Sequence, residues 1–367
     1  MRGLSWKSIT FLGFGLLIVF PGGGAAQPFG GWLALDGRLG GVLIPHQTKL
    51  EPAAAITIEG WVRLHDAPPD CRSLIGKNAQ RAWWVGVCPT GQSGGGGGLL
   101  RSSLRGAGSN LDGGRLPAGE WTHFAVVFDG ARHLHYVNGE QVAAAADSGP
   151  LPGSGDPVEI GNDVALPGHT PSADLNEIRL WSVARDPEQI HGTISQALGS
   201  PQPGLVAVWS LVHNAADALG AFNGTLENAS SFGTPSPVPP CSSAFTTLCF
   251  AGRFAARLSW RTGTPDSGLT MPTAPDRVTG SGVAVPCPNR RSGLFWFFDP
   301  DNWEALVKLV DGCSLNHRYW LFSAATTNVF YRLEVLDTAT GSTRIYFNYQ
   351  GPPAPAVTDT DAFATCP

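Results

Sequence analysis

Glu59, Glu159 and Glu177 are isolated carboxylates inside strand-like stretches of this sequence. Two carboxylates facing a cleft are what glycoside hydrolysis requires, roughly 5–5.5 Å apart in the retaining form. The three are isolated from one another, and no E-x-D-x-x-E pattern sets two of them on one strand face, so hydrolysis by the retaining route is disfavoured. Gly91-Gln92-Ser93-Gly94-Gly95 spells a nucleophile elbow in letters only, because a helix must follow the serine and here glycines follow. The run through Gly98 also lacks the Lys-Ser/Thr of a phosphate cradle. His133 and His135, two apart, share one face of a predicted strand and could supply two metal ligands; no third is identifiable, and a solvated strand face is expected.

The cysteines are Cys71, Cys88, Cys241, Cys249, Cys287, Cys313 and Cys366. None forms a C-x-x-C pair, which removes the usual support for a redox motif or a zinc site. An odd count leaves at least one without an internal partner. Cys71 and Cys88 sit near the outer ends of two apolar stretches, Ser73–Gly76 and Trp83–Val87, that would pair as a hairpin, so they are predicted partners.

The elements that must position these residues are strands. The chain has 47 Gly and 30 Pro, and 14% of its residues are charged, a density of breakers that long helices do not survive. Ile56–Leu64 and Trp121–Phe128 are rich in β-branched and aromatic residues. His133–Val137 meets Gln141–Ala143 across Asn138-Gly139, the dipeptide best suited to a two-residue hairpin turn. Val158–Gly161 and Leu175–Trp181 add strands, and Asp186-Pro187 starts one short helix as cap and first-turn proline. Gly91–Gly98 reads as a surface loop. Further on, Phe254, Ala256, Leu258 and Trp260 alternate with Ala255, Arg257, Ser259 and Arg261, the period of a half-buried strand. Val329–Leu336 and Thr343–Tyr349 flank a loop ending in Gly341. The fold class is all-β, two antiparallel sandwiches, the second smaller.

Arg2 and Lys7 precede an apolar run, Ile9–Phe20, followed by Gly24, Ala25 and Ala26; this is a secretory signal over 1–26, too short to span a bilayer. The expected domains are 27–232 and 241–367, joined by a Pro/Ser-rich linker over 233–240. Export places the cysteines where disulfides persist. With a net charge of −5 and no basic run, neither nucleic acid nor an anionic membrane is an expected partner, and the mature chain is expected to have no transmembrane segment.

Leu35-Asp36-Gly37, Thr57–Val62, Gly119–Val126 leading to Tyr136–Gly139, and Asn176–Trp181 stand in an order and spacing that resembles the laminin-G-like, pentraxin-related jelly rolls of the concanavalin-A-like class, across roughly residues 30–232. The resemblance implies a jelly-roll sandwich that recognises glycans or surface proteins through edge loops. Ala67–Asp70, Thr90–Gly98 and Gly161–Ser172 are the loops expected to do so. Trp61, Trp121, Trp181 and Trp209 are expected to anchor the two-sheet core. Ca²⁺ is the one cofactor the resemblance admits, with Asp36 and Asn176 as ligands; Leu39, Gly40 and Asn176 stand where relatives often carry Asp, which weakens such a site.

Phe295–Asn302, Lys308–Cys313, Tyr319–Phe322 and Ala362–Pro367 resemble a C-terminal β module of secreted bacterial proteins that brings no assigned chemistry. That resemblance implies pairing among Cys241, Cys249, Cys313 and Cys366 and leaves Cys287 free. Asp299-Pro300-Asp301-Asn302 lacks the glycine and distant glutamate of an EF-hand and is expected to be a tight turn. The functional expectation is a secreted, extracellular binding or adhesion protein with no catalytic residues. The alternative is a structural or accessory module, and a glycoside hydrolase is the least favoured class.

Overall fold

A computed structural model describes residues 30–90, 96–228, 230–269, 277–288 and 290–367. The expected secretory signal and the Ser93 stretch lie outside the described residues.

Alternation of apolar and polar residues builds the first sandwich. In Ile56–Leu64, the side chains of Ile56, Ile58, Val62 and Leu64 enter the inter-sheet core, while Thr57, Glu59 and Trp61 take the other face. That strand is central in a sheet ordered Glu140–Ala146, Arg132–Val137, Thr122–Phe128, Ile56–Leu64, Ser172–Trp181, Trp32–Asp36 and Ser231–Gly233; Leu205–Trp209 also pairs with Ser172–Trp181. The opposing sheet runs Thr225–Asn228, Gly40–Ile44, Val158–Ile160, Arg72–Gly76, Trp84–Cys88, Gly97–Ser103 and Asn110–Pro117. Strand pairing within both sheets is antiparallel. The architecture is the all-β jelly-roll sandwich that the strand pattern and motif order imply. Asn138 and Gly139 both take positive φ, 50° and 82°, and turn one edge hairpin, as a two-residue turn matched to strand twist demands. The helix Pro187–Thr193 is closed by a reciprocal cap: Asp186 accepts from the Gln189 backbone N–H, and Gln189 Oε1 accepts from the Asp186 backbone N–H.

A second, smaller antiparallel sandwich follows. One sheet is Leu248–Phe250, Phe254–Arg261, Phe330–Asp337 and Thr343–Asn348, with Thr279–Ser281 beside Phe254–Arg261; the other is Val283–Pro286, Ser292–Trp296, Ala305–Asp311, Tyr319–Ala325 and Val357–Phe363. Between them Phe254, Leu258, Phe295, Val307, Leu321 and Leu333 form a separate core. The proline-rich segment between the sandwiches runs along the second one, where the Val238 N–H donates to the Thr338 carbonyl at 2.8 Å.

The four tryptophans are all buried, but only Trp209 lies in the core between the first two sheets. Trp181 packs with Leu198 and Val208 on the outer face. Trp61 and Trp121 also face outward and are covered by Ile194 and by Ile345 of the second sandwich, with Phe347 stacked on Trp61 at 6.2 Å. The expected two-sheet anchor role is therefore corrected for three of the four. The larger sheet has a second layer on its outer side, made by the 187–198 segment and the second sandwich, and both faces of its central strands are dry.

Candidate functional site

Cys71 is bonded to Cys88, tying the end of the Arg72–Gly76 strand to the end of Trp84–Cys88. The segment after Val158–Ile160 folds back onto this staple. The Ser73 N–H donates to the His169 carbonyl at 2.8 Å, His169 Nδ1 donates to the Cys71 carbonyl at 2.9 Å, and Arg72 Nη1 donates to the Gly168 carbonyl at 3.0 Å. Asp70 is ion-paired with Arg72, and its Oδ1 lies 4.0 Å from His169 Nδ1. Pro68 rests on Gly98, where a side-chain carbon would come within 3.3 Å of the proline ring. The described parts of the three loops, Ala67–Asp70, Thr90 with Gly96–Gly98, and Gly161–Ser172, thus meet at one edge of the sandwich; residues 91–95 lie outside the described residues. Asp70 is 50% exposed and His169 38%, so a carboxylate and an imidazole face solvent on a rigid base. Such a set can accept and donate hydrogen bonds to hydroxyls; among the described residues it holds no nucleophile beside a base.

Inward along the same outer face, Thr225, Leu43, Glu159, Gly76 and Trp84 lie in one cross-strand row. Asp163 closes over Gly76, accepting from the backbone N–H groups of Asn78, Ala79 and Ala165 at 2.9–3.0 Å. Burial, with Asp163 and Glu227 nearby, pushes the Glu159 carboxyl up to about 7. Glu159 is 7% exposed and Asp163 0%, so a sugar ring cannot enter between them.

Asp36 and Asn176 do not converge. Asp36 pairs with Ser172 across the sheet, four residues from Asn176 and so roughly 13 Å away along the strand. Asp36 Oδ1 accepts from the Arg38 N–H, and the Asn176 amide donates to the carbonyls of Gly31 and Ser210 at 2.7 and 3.1 Å, fastening strand ends. The pair does not fit Ca²⁺, and no group of three His, Cys, Asp or Glu side chains among the described residues is placed to hold a metal ion.

His133 and His135 do share a face, but it is buried rather than solvated. Both Nε2 atoms lie 2.6 Å from Ser102 Oγ on the opposing sheet. The His135 Nδ1 contact to the Gly113 carbonyl, 2.8 Å, requires a proton there. Burial pushes both rings down, to about 3 for His133 and about 4 for His135. With both neutral, His135 Nε2 accepts the Ser102 hydroxyl proton and His133 Nε2 donates to Ser102 Oγ. The trio is a closed inter-sheet bond set.

Glu59 and Glu177 are brought together, although not at a cleft. Glu59 Oε1 accepts from Arg185 Nη1 at 2.7 Å, Trp181 Nε1 at 3.0 Å and Arg179 Nη1 at 3.3 Å, while Arg179 Nη2 also donates to Glu177 Oε1 at 3.1 Å. All are buried beneath the 187–198 segment. His123, beside them, is held well below the usual imidazole range by burial and by the two arginines. Two carboxylates neutralised by two guanidiniums under a covering segment lack the open space that sugar hydrolysis needs. Glu59 and Glu177 were visible as acids in the sequence; Arg179, Arg185 and Asp163 carry no local pattern that marks them.

In the second sandwich Cys241 is bonded to Cys249 and Cys313 to Cys366; Cys287, half-buried, is in no disulfide. Asp299 forms its own turn, its Oδ1 accepting from the Asp301 N–H at 2.9 Å. No helix among the described residues is long and apolar enough to cross a membrane.

The chain is similar in structure to a Bacteroides ovatus protein whose description suggests carbohydrate binding (20% identity, TM-score 0.45, 57% of this chain); it spans 60% of that protein's length. It is also similar to the heptameric SAP-like pentraxin of Limulus polyphemus (16%, 0.44, 57% of this chain and 97% of that one). A third likeness is to domains LG4-5 of the mouse laminin alpha1 chain (10%, 0.32, 92% and 81%). No curated protein matches the chain in sequence. The family model described as the concanavalin A-like lectin/glucanases superfamily, Laminin_G_3, matches residues 36–191.

Proposed function

We propose that this is a secreted, non-catalytic binding protein that takes glycans at the loop edge around the Cys71–Cys88 staple. One observation carries the reading: three loops far apart in sequence meet there, with Asp70 and His169 exposed on a base fixed by a disulfide and backbone hydrogen bonds. Rigid elements presenting exposed polar groups from loops are what selective recognition of sugar hydroxyls needs. The superfamily match supports a lectin-type role, and the closed state of the Glu59 and Glu159 carboxylates supports a non-catalytic one.

The test is a glycan array probed with the full chain, followed by titration of the strongest hit against Asp70→Ala and His169→Ala. Each substitution should weaken binding at least about tenfold, the loss of one good polar contact of about 1.4 kcal/mol. Because Asp36 and Asn176 do not form a calcium site, chelator should leave the affinity unchanged. An empty array with a folded protein, or full affinity in both variants, would reject the proposal.

A further inference from the structure

The sheet of the second sandwich that faces the first carries Arg257, Ser259 and Arg261 on one strand and Phe330, Arg332 and Glu334 on its neighbour, in register as Arg257–Glu334, Ser259–Arg332 and Arg261–Phe330. Two strips of contact hold this face against the first sandwich. One is Ile345 and Phe347 on Trp61. The other is the 266–269 loop on the Asn110–Pro117 strand, where the Gly114 N–H donates to the Ser267 carbonyl at 2.7 Å. Between the strips lie two chambers of about 370 and 500 Å³ that share Glu120, Ser259, Ser281 and Arg332 along one ridge, so they form a single groove between the sandwiches. Arg257 and Arg261, four residues apart on the strand, mark a reach of roughly 13 Å along it.

Six arginines line this groove, Arg63, Arg257 and Arg332 in one chamber, and Arg115, Arg261 and Arg277 in the other, with Arg332 also on the ridge. Four have a carboxylate partner: Arg63 with Asp174, Arg261 with Glu140, Arg277 with Asp266 and Arg332 with Glu334. Arg257 and Arg115 do not. Arg257 Nε donates to Thr247 Oγ1 at 3.1 Å and Arg115 Nη2 to the Gly96 carbonyl at 3.3 Å; among the described residues neither guanidinium is in an ion pair. A guanidinium fork with unused donors is the best protein match for a planar carboxylate. Beside Arg257 the groove offers the hydroxyls of Ser259, Ser281 and Thr343, which suit sugar hydroxyls. An acidic peptide is the poorer fit: extended peptides gain affinity by pairing with an open strand edge, and this groove lies over a sheet face.

We infer that the groove between the two sandwiches is a second binding site, for a segment of acidic polysaccharide whose carboxylates are taken by Arg257 and Arg115. The site does not include Asp70 or His169 and uses residues of both sandwiches.

The experiment is calorimetric titration of the full chain with a panel of carboxylated oligosaccharides (galacturonate, alginate and glucuronate-containing fragments), with methyl-esterified oligogalacturonate and with poly-glutamate. At least one acidic fragment should bind, its ester at least tenfold more weakly, and poly-glutamate not detectably. Arg257→Ala should weaken the acidic fragment at least tenfold with an unchanged melting temperature, whereas Arg132→Ala, an exposed arginine outside the groove, should not. Silence across the acidic panel, equal binding of acid and ester, binding of poly-glutamate with equal affinity, or an unaffected Arg257→Ala variant overturns the inference. Loss of acidic binding in Asp70→Ala but not in Arg257→Ala would move the ligand to the loop edge and overturn it as well.

Discussion

Glu59 and Arg257 each sit on the face of a sheet that a second layer covers, yet their surroundings differ. Glu59 is enclosed with Arg179, Arg185 and Trp181 around one oxygen, and no side of the cluster opens to solvent. Arg257 stands at the mouth of a groove with, among the described residues, the neutral Thr247 hydroxyl as its partner. The contrast teaches that buried charge by itself marks no site. A complete set of counter-charges fixes a fold, because removing one partner strands the rest in a poor solvent, whereas a charge with unused donors at an accessible edge is available to a ligand.

The sharpest way to break this comparison is to remove the centre of the closed cluster. Glu59→Gln leaves two buried guanidiniums short of counter-charge and should cost about 3–5 kcal/mol in urea denaturation; a loss below about 1 kcal/mol would mean that the cluster is solvated. Next comes the packing that holds the groove. Ile345→Ala removes a fully buried side chain between the sandwiches and should cost about 2–4 kcal/mol, detected as a lower melting temperature together with faster proteolysis of the second sandwich.

Glu159→Gln tests a third environment, an acid buried without a cation. Its folded carboxyl titrates near 7, above the unfolded value of about 4.3, so the folded state binds the proton more tightly. Wild-type stability is therefore unpenalised below about pH 4, falls as pH rises through the 4.3–7 window, and levels off above it. The glutamine variant should lack that fall and be more stable at pH 8 by about 1–3 kcal/mol, with little difference at pH 4. Equal pH profiles would refute the raised carboxyl. The smallest effect is Arg257→Ala on stability, within about 0.5 kcal/mol; a larger loss would make Arg257 a structural residue and erase the contrast with Glu59.

Strand period, the Asn138-Gly139 turn and the Asp186-Pro187 cap were all legible in the sequence because they depend on neighbours within a few residues. The direction in which Trp61 points was not, since alternation separates two faces without saying which is dry, and here both are. The Glu59 cluster and the groove were equally hidden: Arg63, Arg115, Arg257 and Arg332 form no basic run, and only the closure of one sandwich on the other gathers them. Asp36 and Asn176 show the converse, two residues aligned by resemblance that the sheet register holds apart.

Trp61 is translated before Ile345 and Phe347, which help to cover it and arrive only with the second sandwich. A chain that emerges amino terminus first therefore carries a tryptophan face covered on the Ile194 side alone until the strands of the second sandwich are available. During that interval the half-finished protein exposes apolar surface on which chains can associate, so fast docking of the strands that carry Ile345 and Phe347 shortens its exposure to aggregation.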